Sequence, residues 1–274
     1  MLNDAKWIWN DKNFCDDEYV DFIAEFKVLD DKNVKLNISF DGMFAAFING
    51  KLACFGECSD DENNKLYDEF LLDDYISLGN NNLLITVWHH GANCATYKYA
   101  KAGCIFSVSQ GEKVLYQSSE KTLSRINPNY KSGYNKFITG QLGLSYKFDN
   151  TASVDIPFSE SAIIDKSYNL IYRDIENLVL GERVPNNVKI ENNLVTVDML
   201  KETVGFLELD FYSEKSQELL ICYGEHLDNN GRVSRIIESR DFSVEFIAKK
   251  GETNLLPLSA GLQADIFSLK LARL

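Results

Sequence analysis

The sequence has no run approaching the ~18–20 apolar residues that a membrane-crossing helix needs, which excludes a helical membrane anchor within it. Its start, Met1-Leu2-Asn3-Asp4-Ala5-Lys6, has no basic segment leading into an apolar one, so no secretory leader is read there. None of the six cysteines (Cys15, Cys54, Cys58, Cys94, Cys104, Cys222) forms a Cys-x-x-Cys pair, and free thiols in a reducing cytoplasm are expected. Cys54 and Cys58 resemble half a metal site, but no second half follows, so no metal and no cofactor are expected. Histidine is scarce, with only His89, His90 and His226. There is no Gly-x-Ser-x-Gly elbow, no His-Glu-x-x-His pair and no phosphate-cradling Gly-Lys loop, which removes the usual hydrolase, zinc-protease and nucleotide signatures. Positive charge is also short: 28 Lys and Arg against 41 Asp and Glu leave a net charge of −13. A nucleic-acid partner needs clustered cations, so none is expected.

What is present is a strand pattern. The 274 residues are 45% hydrophobic and 25% charged, enough for a real core. Val34, Leu36, Ile38 and Phe40 alternate with polar residues, as do Phe242, Val244 and Phe246. Phe206 to Phe211 alternates likewise, and Ile266 to Leu271 is strand-like. The apolar runs Leu83 to Trp88 and Leu219 to Tyr223 are read as strands buried on both faces. Asp60 to Asn64, Gly79 to Asn82, Asn192-Asn193 and Asp228 to Gly231 are read as turns between strands. Asp41-Gly42 and Asn49-Gly50 are read as hairpin turns, because these dipeptides favour the primed turn types. Only Leu71 to Ile76 and Ala162 to Asn169 suggest helix. The fold class expected is all-β, two tandem jelly-roll β-sandwiches over 1–150 and 151–274. The stretch 127–193 is expected to supply edge strands to the second.

The segment from Trp88 to Tyr99 is the most suggestive for ligand binding, because it mixes ring faces with polar donors after a buried strand. Trp88, His89, His90, Asn93 and Tyr97 are its candidate carbohydrate-binding residues; the competing reading is a structural loop capping one end of a sandwich. His89 and His90 do not read as a metal pair, since neighbours on a strand point to opposite faces. Asp60-Asp61-Glu62 lacks the ordered spacing of a calcium loop and reads as a solvated turn. Glycosidases set two carboxyls across the scissile bond, and spacing alone pairs none of the 41 here.

Ser39-Phe40-Asp41-Gly42, Phe47-Ile48-Asn49-Gly50-Lys51, Tyr67-Asp68-Glu69-Phe70 and Gly79-Asn80-Asn81-Asn82-Leu83-Leu84-Ile85-Thr86-Val87 resemble the galactose-binding-like jelly roll of many glycosidases. In the second half, Glu202-Thr203-Val204-Gly205-Phe206-Leu207-Glu208-Leu209 and Tyr223-Gly224-Glu225-His226-Leu227-Asp228-Asn229-Asn230-Gly231-Arg232-Val233, followed by Arg240-Asp241-Phe242, point further. They resemble the concanavalin-like jelly roll that precedes the catalytic barrel of bacterial α-L-rhamnosidases, glycoside hydrolase family 78. The resemblance implies a non-catalytic N-terminal region, with the acids that hydrolyse terminal α-L-rhamnose in a downstream (α/α) barrel. No position here matches the family's catalytic motif, and no catalytic residue is assigned. The family's aromatic and basic segment near the last strand is replaced by Pro257 to Asp265. Implied partners are a rhamnose-containing glycan, a catalytic barrel in a longer homologue, and a second copy through apolar surface built for that barrel. A standalone carbohydrate- or partner-binding protein is the alternative.

Overall fold

A computed structural model describes residues 2–58, 63–165, 168–184, 186–191, 194–255 and 262–271. Apart from one 3-10 turn, Asp73–Tyr75, the regular elements among them are all strands. In chain order the first are β1 (Ile8–Trp9), β2 (Glu18–Val28), β3 (Val34–Phe40), β4 (Gly42–Ile48), β5 (Lys51–Cys58), β6 (Asn64–Leu71), β7 (Gly79–His89), β8 (Cys104–Gln110) and β9 (Lys113–Gln117). Next come β10 (Leu123–Ile126), β11 (Phe137–Thr139), β12 (Gly143–Leu144), β13 (Lys147–Asp149), β14 (Ser159–Glu160), β15 (Ala162–Ile163), β16 (Asn169–Tyr172) and β17 (Asn187–Glu191). The last are β18 (Leu194–Gly205), β19 (Leu209–Ser213), β20 (Gln217–Gly224), β21 (Ile236–Ile237), β22 (Arg240–Asp241), β23 (Ser243–Ala248), β24 (Gly251–Leu255) and β25 (Leu262–Leu271). They form two compact units, Met1–Asn127 with Asp155–Leu180, and Pro128–Val154 with Gly181–Leu274.

The first unit is a sandwich of two sheets. One has the order β15-β1-β8-β3-β6-β16, with β9 on β8, and the other the order β14-β10-β2-β7-β4-β5. The strand period of two sends alternate residues to the core. Val20, Phe22, Ala24, Phe26 and Val28 of β2 join Leu83, Ile85 and Val87 of β7 in one buried cluster. Val34, Leu36, Ile38 and Phe40 of β3 face them beside Phe106 and Val108 of β8. Each such Val, Leu, Ile or Phe side chain contributes roughly 1.5–3 kcal/mol by leaving water. The other face of β7 is half-exposed at Leu84 and Thr86, so this run is not buried on both sides as its composition suggested. In β20, Leu220 departs from expectation in the same way.

The second unit has a sheet of order β13-β23-β20-β25-β18-β17 and a separate β19-β24 pair. Leu219, Ile221 and Tyr223 of β20 are buried beside Val244 and Phe246 of β23. The ring of Phe246 stacks on Phe148 of β13 at 5.6 Å and meets Phe211 of β19 edge-on at 6.2 Å.

Several local expectations need correction. The described residues of Ala162 to Asn169 form no helix: Ala162 and Ile163 are β15, paired with β1, and Asn169 opens β16. Sheet pairing here outweighs a weak helical pattern. Leu71 ends β6, and only Asp73–Tyr75 coils. Gly79 to Asn82 opens β7 rather than forming a turn, because the buried Asn81 side chain bonds Ser77 N and O and the Asn49 amide. Phe206 to Glu208 lie between strands β18 and β19. Asp60-Asp61-Glu62, Asn192-Asn193 and Pro257 to Gly261 lie outside the described residues.

The two Gly-containing dipeptides behave differently. Asn49-Gly50 is a hairpin turn: φ is 51° and 79°, and Ile48 pairs with Lys51. Asp41-Gly42 is not a hairpin. It carries the chain from β3 in one sheet to β4 in the other. Gly42 has φ +94°, and a Cβ there would lie 2.1 Å from the Trp88 carbonyl oxygen, whereas one on Gly50 would meet nothing. Gly50→Ala is therefore expected to cost only the left-handed strain, about 1–2 kcal/mol, and Gly42→Ala distinctly more. Chemical denaturation of the two variants checks the order; equal losses would contradict it.

Candidate functional site

Asp41 is fully buried where the chain changes sheets. A buried carboxylate is tolerated only when paired and hydrogen-bonded. Here Oδ2 lies 2.7 Å from Nδ1 of His89 and accepts the Tyr97 hydroxyl at 2.6 Å, while Oδ1 lies 3.2 Å from the Lys65 ammonium. His89 ends β7, Lys65 belongs to β6, and Tyr97 sits in the 90–103 connection that carries the chain to β8. The Asp41 N–H donates to Gly103 O at 3.0 Å, so two of the sheet-changing connections, β3 to β4 and β7 to β8, meet at this residue. Burial opposes ionisation of Asp41, but the bond and charge of His89, with Lys65 and Tyr97, outweigh it and hold the carboxyl below the usual range. Burial, then the Asp41 charge, raises the Tyr97 phenol, which stays a proton donor.

A carboxylate only accepts, so His89 donates from Nδ1. Its Nε2 is buried without a hydrogen-bond partner among the described residues. The rings of Trp9, Phe14 and Tyr99 lie around the His89 ring, with centroids 6.1, 5.3 and 6.2 Å from its own. Glu18, directly across from His89 in the β2–β7 ladder, is engaged by the Trp9 indole and the Cys15 N–H. Burial and Glu18 push the Cys15 thiol up to about 11. Burial also raises the Cys54 thiol, with the Asp68 charge adding to it. Neither thiol is poised as a nucleophile or metal ligand.

Trp88 and His90 point to the opposite face. Tyr19 stacks on Trp88 at 5.2 Å, Trp88 meets His90 at 5.3 Å, and His90 meets Tyr97 at 5.0 Å. The Trp88 indole donates to Asp17 Oδ1, and the His90 Nδ1–H to Ala92 O, each at 2.8 Å. Burial lowers the His90 pKa, keeping the ring neutral. Trp88, His89, His90 and Tyr97 are therefore brought together but buried, their faces against one another; Asn93 is exposed and bonds the Tyr99 N–H. This arrangement orders the 90–103 connection.

The exposed side of that connection borders a groove of about 510 Å³ in the first unit. Phe55 and Gly56 of β5, Ala95, Thr96, Arg173, Ile175, Glu176 and Leu178 line it. Arg173 grips the buried Asp68 carboxylate through two bonds, 2.5 and 2.6 Å. Sequence reading missed Asp41, Lys65, Asp68 and Arg173 as interacting groups. Asp41 and Asp68 do fall within the two motifs Ser39 to Gly42 and Tyr67 to Phe70, the available signal.

These features define a protein of two β-sandwich units with a buried ionic corner and no metal-binding cluster among the described residues. No protein-family model matches the chain, and no curated protein matches it. Solved structures do. The chain aligns with the α-L-rhamnosidase of Aspergillus terreus at TM-score 0.73 and 17% identity, over 98% of this chain and 34% of that one. With the Streptomyces avermitilis α-L-rhamnosidase complexed with L-rhamnose the values are 0.70 and 13%, over 93% and 27%. With the family GH78 rhamnosidase of Bacillus sp. GL1 they are 0.59 and 16%, over 98% and 33%. Nearly the whole chain thus has the fold of about a third of a rhamnosidase, at identities that speak for fold.

Replacing Asp41 by Asn removes the buried carboxylate that pairs with Lys65 and His89 and is expected to cost about 3–5 kcal/mol. The folded protein keeps Asp41 ionised to lower pH than the unfolded chain does. Its stabilisation is present above about pH 4 and lost as pH falls through the folded value. His90, whose folded pKa is lowered, adds a loss that begins as pH falls below about 6.5. Urea titrations between pH 3 and 8 should show a shallower acid limb in Asp41→Asn; an identical limb would contradict the pairing.

Proposed function

We propose that the chain is a non-catalytic supporting region of an α-L-rhamnosidase-like glycoside hydrolase. The observation that carries this reading is the coverage: 93–98% of this chain aligns, on only 27–34% of each rhamnosidase. The rest of such a protein would hold the catalytic barrel, and the two sandwiches would support it. The absence of a matching catalytic motif in the 274 residues agrees with that division. The buried ionic corner serves shape rather than chemistry, since its histidine faces rings rather than a substrate-sized opening.

A carbohydrate contact is a second reading, and the groove favours it. Sugar sites combine an apolar or ring surface with a few convergent polar groups. Phe55, Ile175 and Leu178 supply the first, and Thr96, Arg173 and Glu176 the second. The Trp88 to Tyr97 rings would then act by holding Ala95 and Thr96 at the groove rim.

Purified chain incubated with an aryl α-L-rhamnoside is expected to release no aglycone above the buffer rate; turnover would overturn the supporting role. Calorimetry with L-rhamnose is expected to show weak, millimolar-range binding, reduced about tenfold by Phe55→Ala or Glu176→Gln, the scale of one lost contact. Heat unchanged in both variants would remove the groove from consideration.

A further inference from the structure

Strand β17 is the end strand of the second unit's main sheet, paired on one side with β18 and on the other with nothing among the described residues. Its five residues, Asn187 to Glu191, are all exposed. End strands are normally protected by brevity, a bulge, a proline or an unpaired charge. β14 and β15 are two residues each, and the β4–β5 ladder carries a register shift. β17 has an unbroken register and no proline. Its one lysine, Lys189, is neutralised within the strand by Glu191 at 2.8 Å.

The pattern along the strand is self-complementary. Val188 and Ile190, 58% and 70% exposed, share one face, and Lys189 and Glu191 share the other. Val197 and Val195 lie opposite Val188 and Ile190 on β18, which extends the apolar face inward. An antiparallel copy of β17 centred on Ile190 sets Ile190 against Ile190 and places Val188 diagonally beside it. The same register sets Lys189 of each copy against Glu191 of the other, two opposite-charge pairs by symmetry. Shifting the centre to Lys189 instead sets lysine against lysine, which disfavours that register.

We infer that β17 is a homodimerisation edge: two copies of this chain join antiparallel at Ile190 into one continuous sheet, fixed in register by reciprocal Lys189–Glu191 pairs. The occupant is a second copy because the charge order is its own complement, and the pairing does not depend on the rhamnosidase reading.

Sedimentation equilibrium of the full 274-residue chain tests it. The wild type is expected to show a reversible monomer–dimer equilibrium at concentrations up to about 1 mM. Lys189→Glu sets glutamate against glutamate twice and should weaken the dimer about tenfold or more. The exchange Lys189→Glu with Glu191→Lys should restore wild-type association, and Ile190→Lys should leave only monomer. All three positions of change, 189, 190 and 191, are exposed, and matching circular dichroism and melting curves establish that each variant is folded. A wild type that stays monomeric, a dimer untouched by Ile190→Lys, or an exchange variant that fails to recover would each overturn the proposal.

Discussion

One buried carboxylate organises the first unit. A two-sheet sandwich needs connections that leave one sheet and enter the other, and such connections expose backbone and polar groups at the edge of an apolar core. In this protein two of them, β3 to β4 and β7 to β8, pass the same point, and Asp41 sits there. Its oxygens take bonds from Lys65, His89 and Tyr97, which belong to β6, β7 and the second connection. An uncompensated carboxylate at that depth would be prohibitive, so the three partners and the corner geometry exist together or not at all. Gly42 follows from the same constraint, because the turn leaves no room for a Cβ beside the Trp88 carbonyl.

The consequences reach outward in two directions. On the core side His89 closes the end of the sandwich among Trp9, Phe14 and Tyr99. On the other side, Trp88, His90 and Tyr97 with Tyr19 form a ladder of rings that holds the 90–103 connection in place. The groove beside Ala95 and Thr96 owes one wall to that order. Its opposite wall depends on Arg173, which is anchored by the buried Asp68. Polar groups inside this unit thus act mainly as positioning devices for loops and rims.

Much of this was legible from residue order. The period-two runs at Val34 to Phe40 and Val244 to Phe246 fold as strands with their apolar residues inward, although Asn37, Ser39 and Ser243 are buried as well, and Asn49-Gly50 makes its turn. The all-β sandwich class follows from such local signals, while the likeness to rhamnosidases was carried by the motif resemblance at Glu202 to Leu209, Tyr223 to Val233 and Arg240 to Phe242. What was not legible depends on distance. Asp41-Gly42 carries the same local signal as Asn49-Gly50, and only the pairing of β3 and β4 with different strands separates a sheet change from a hairpin. Trp88, His90 and Tyr97 look like ring faces open to a ligand because sequence does not show that they cover one another. The residues 155–180 join the first unit through β14, β15 and β16, a placement set by pairing with β10, β1 and β6 and invisible in their composition.

Native-state hydrogen exchange of the wild type and Asp41→Asn, read amide by amide, tests most directly whether Asp41 unites the two connections. The Asp41 amide, bonded to Gly103 O, and the Cys94 amide, bonded to Tyr97 O, lie in different connections. If the carboxylate holds both, protection at these two amides falls together in Asp41→Asn, while amides of β20 and β23 in the second unit keep theirs. If the Cys94 amide stays as protected in Asp41→Asn as in the wild type, the two connections are held independently and Asp41 is not the keystone of the fold.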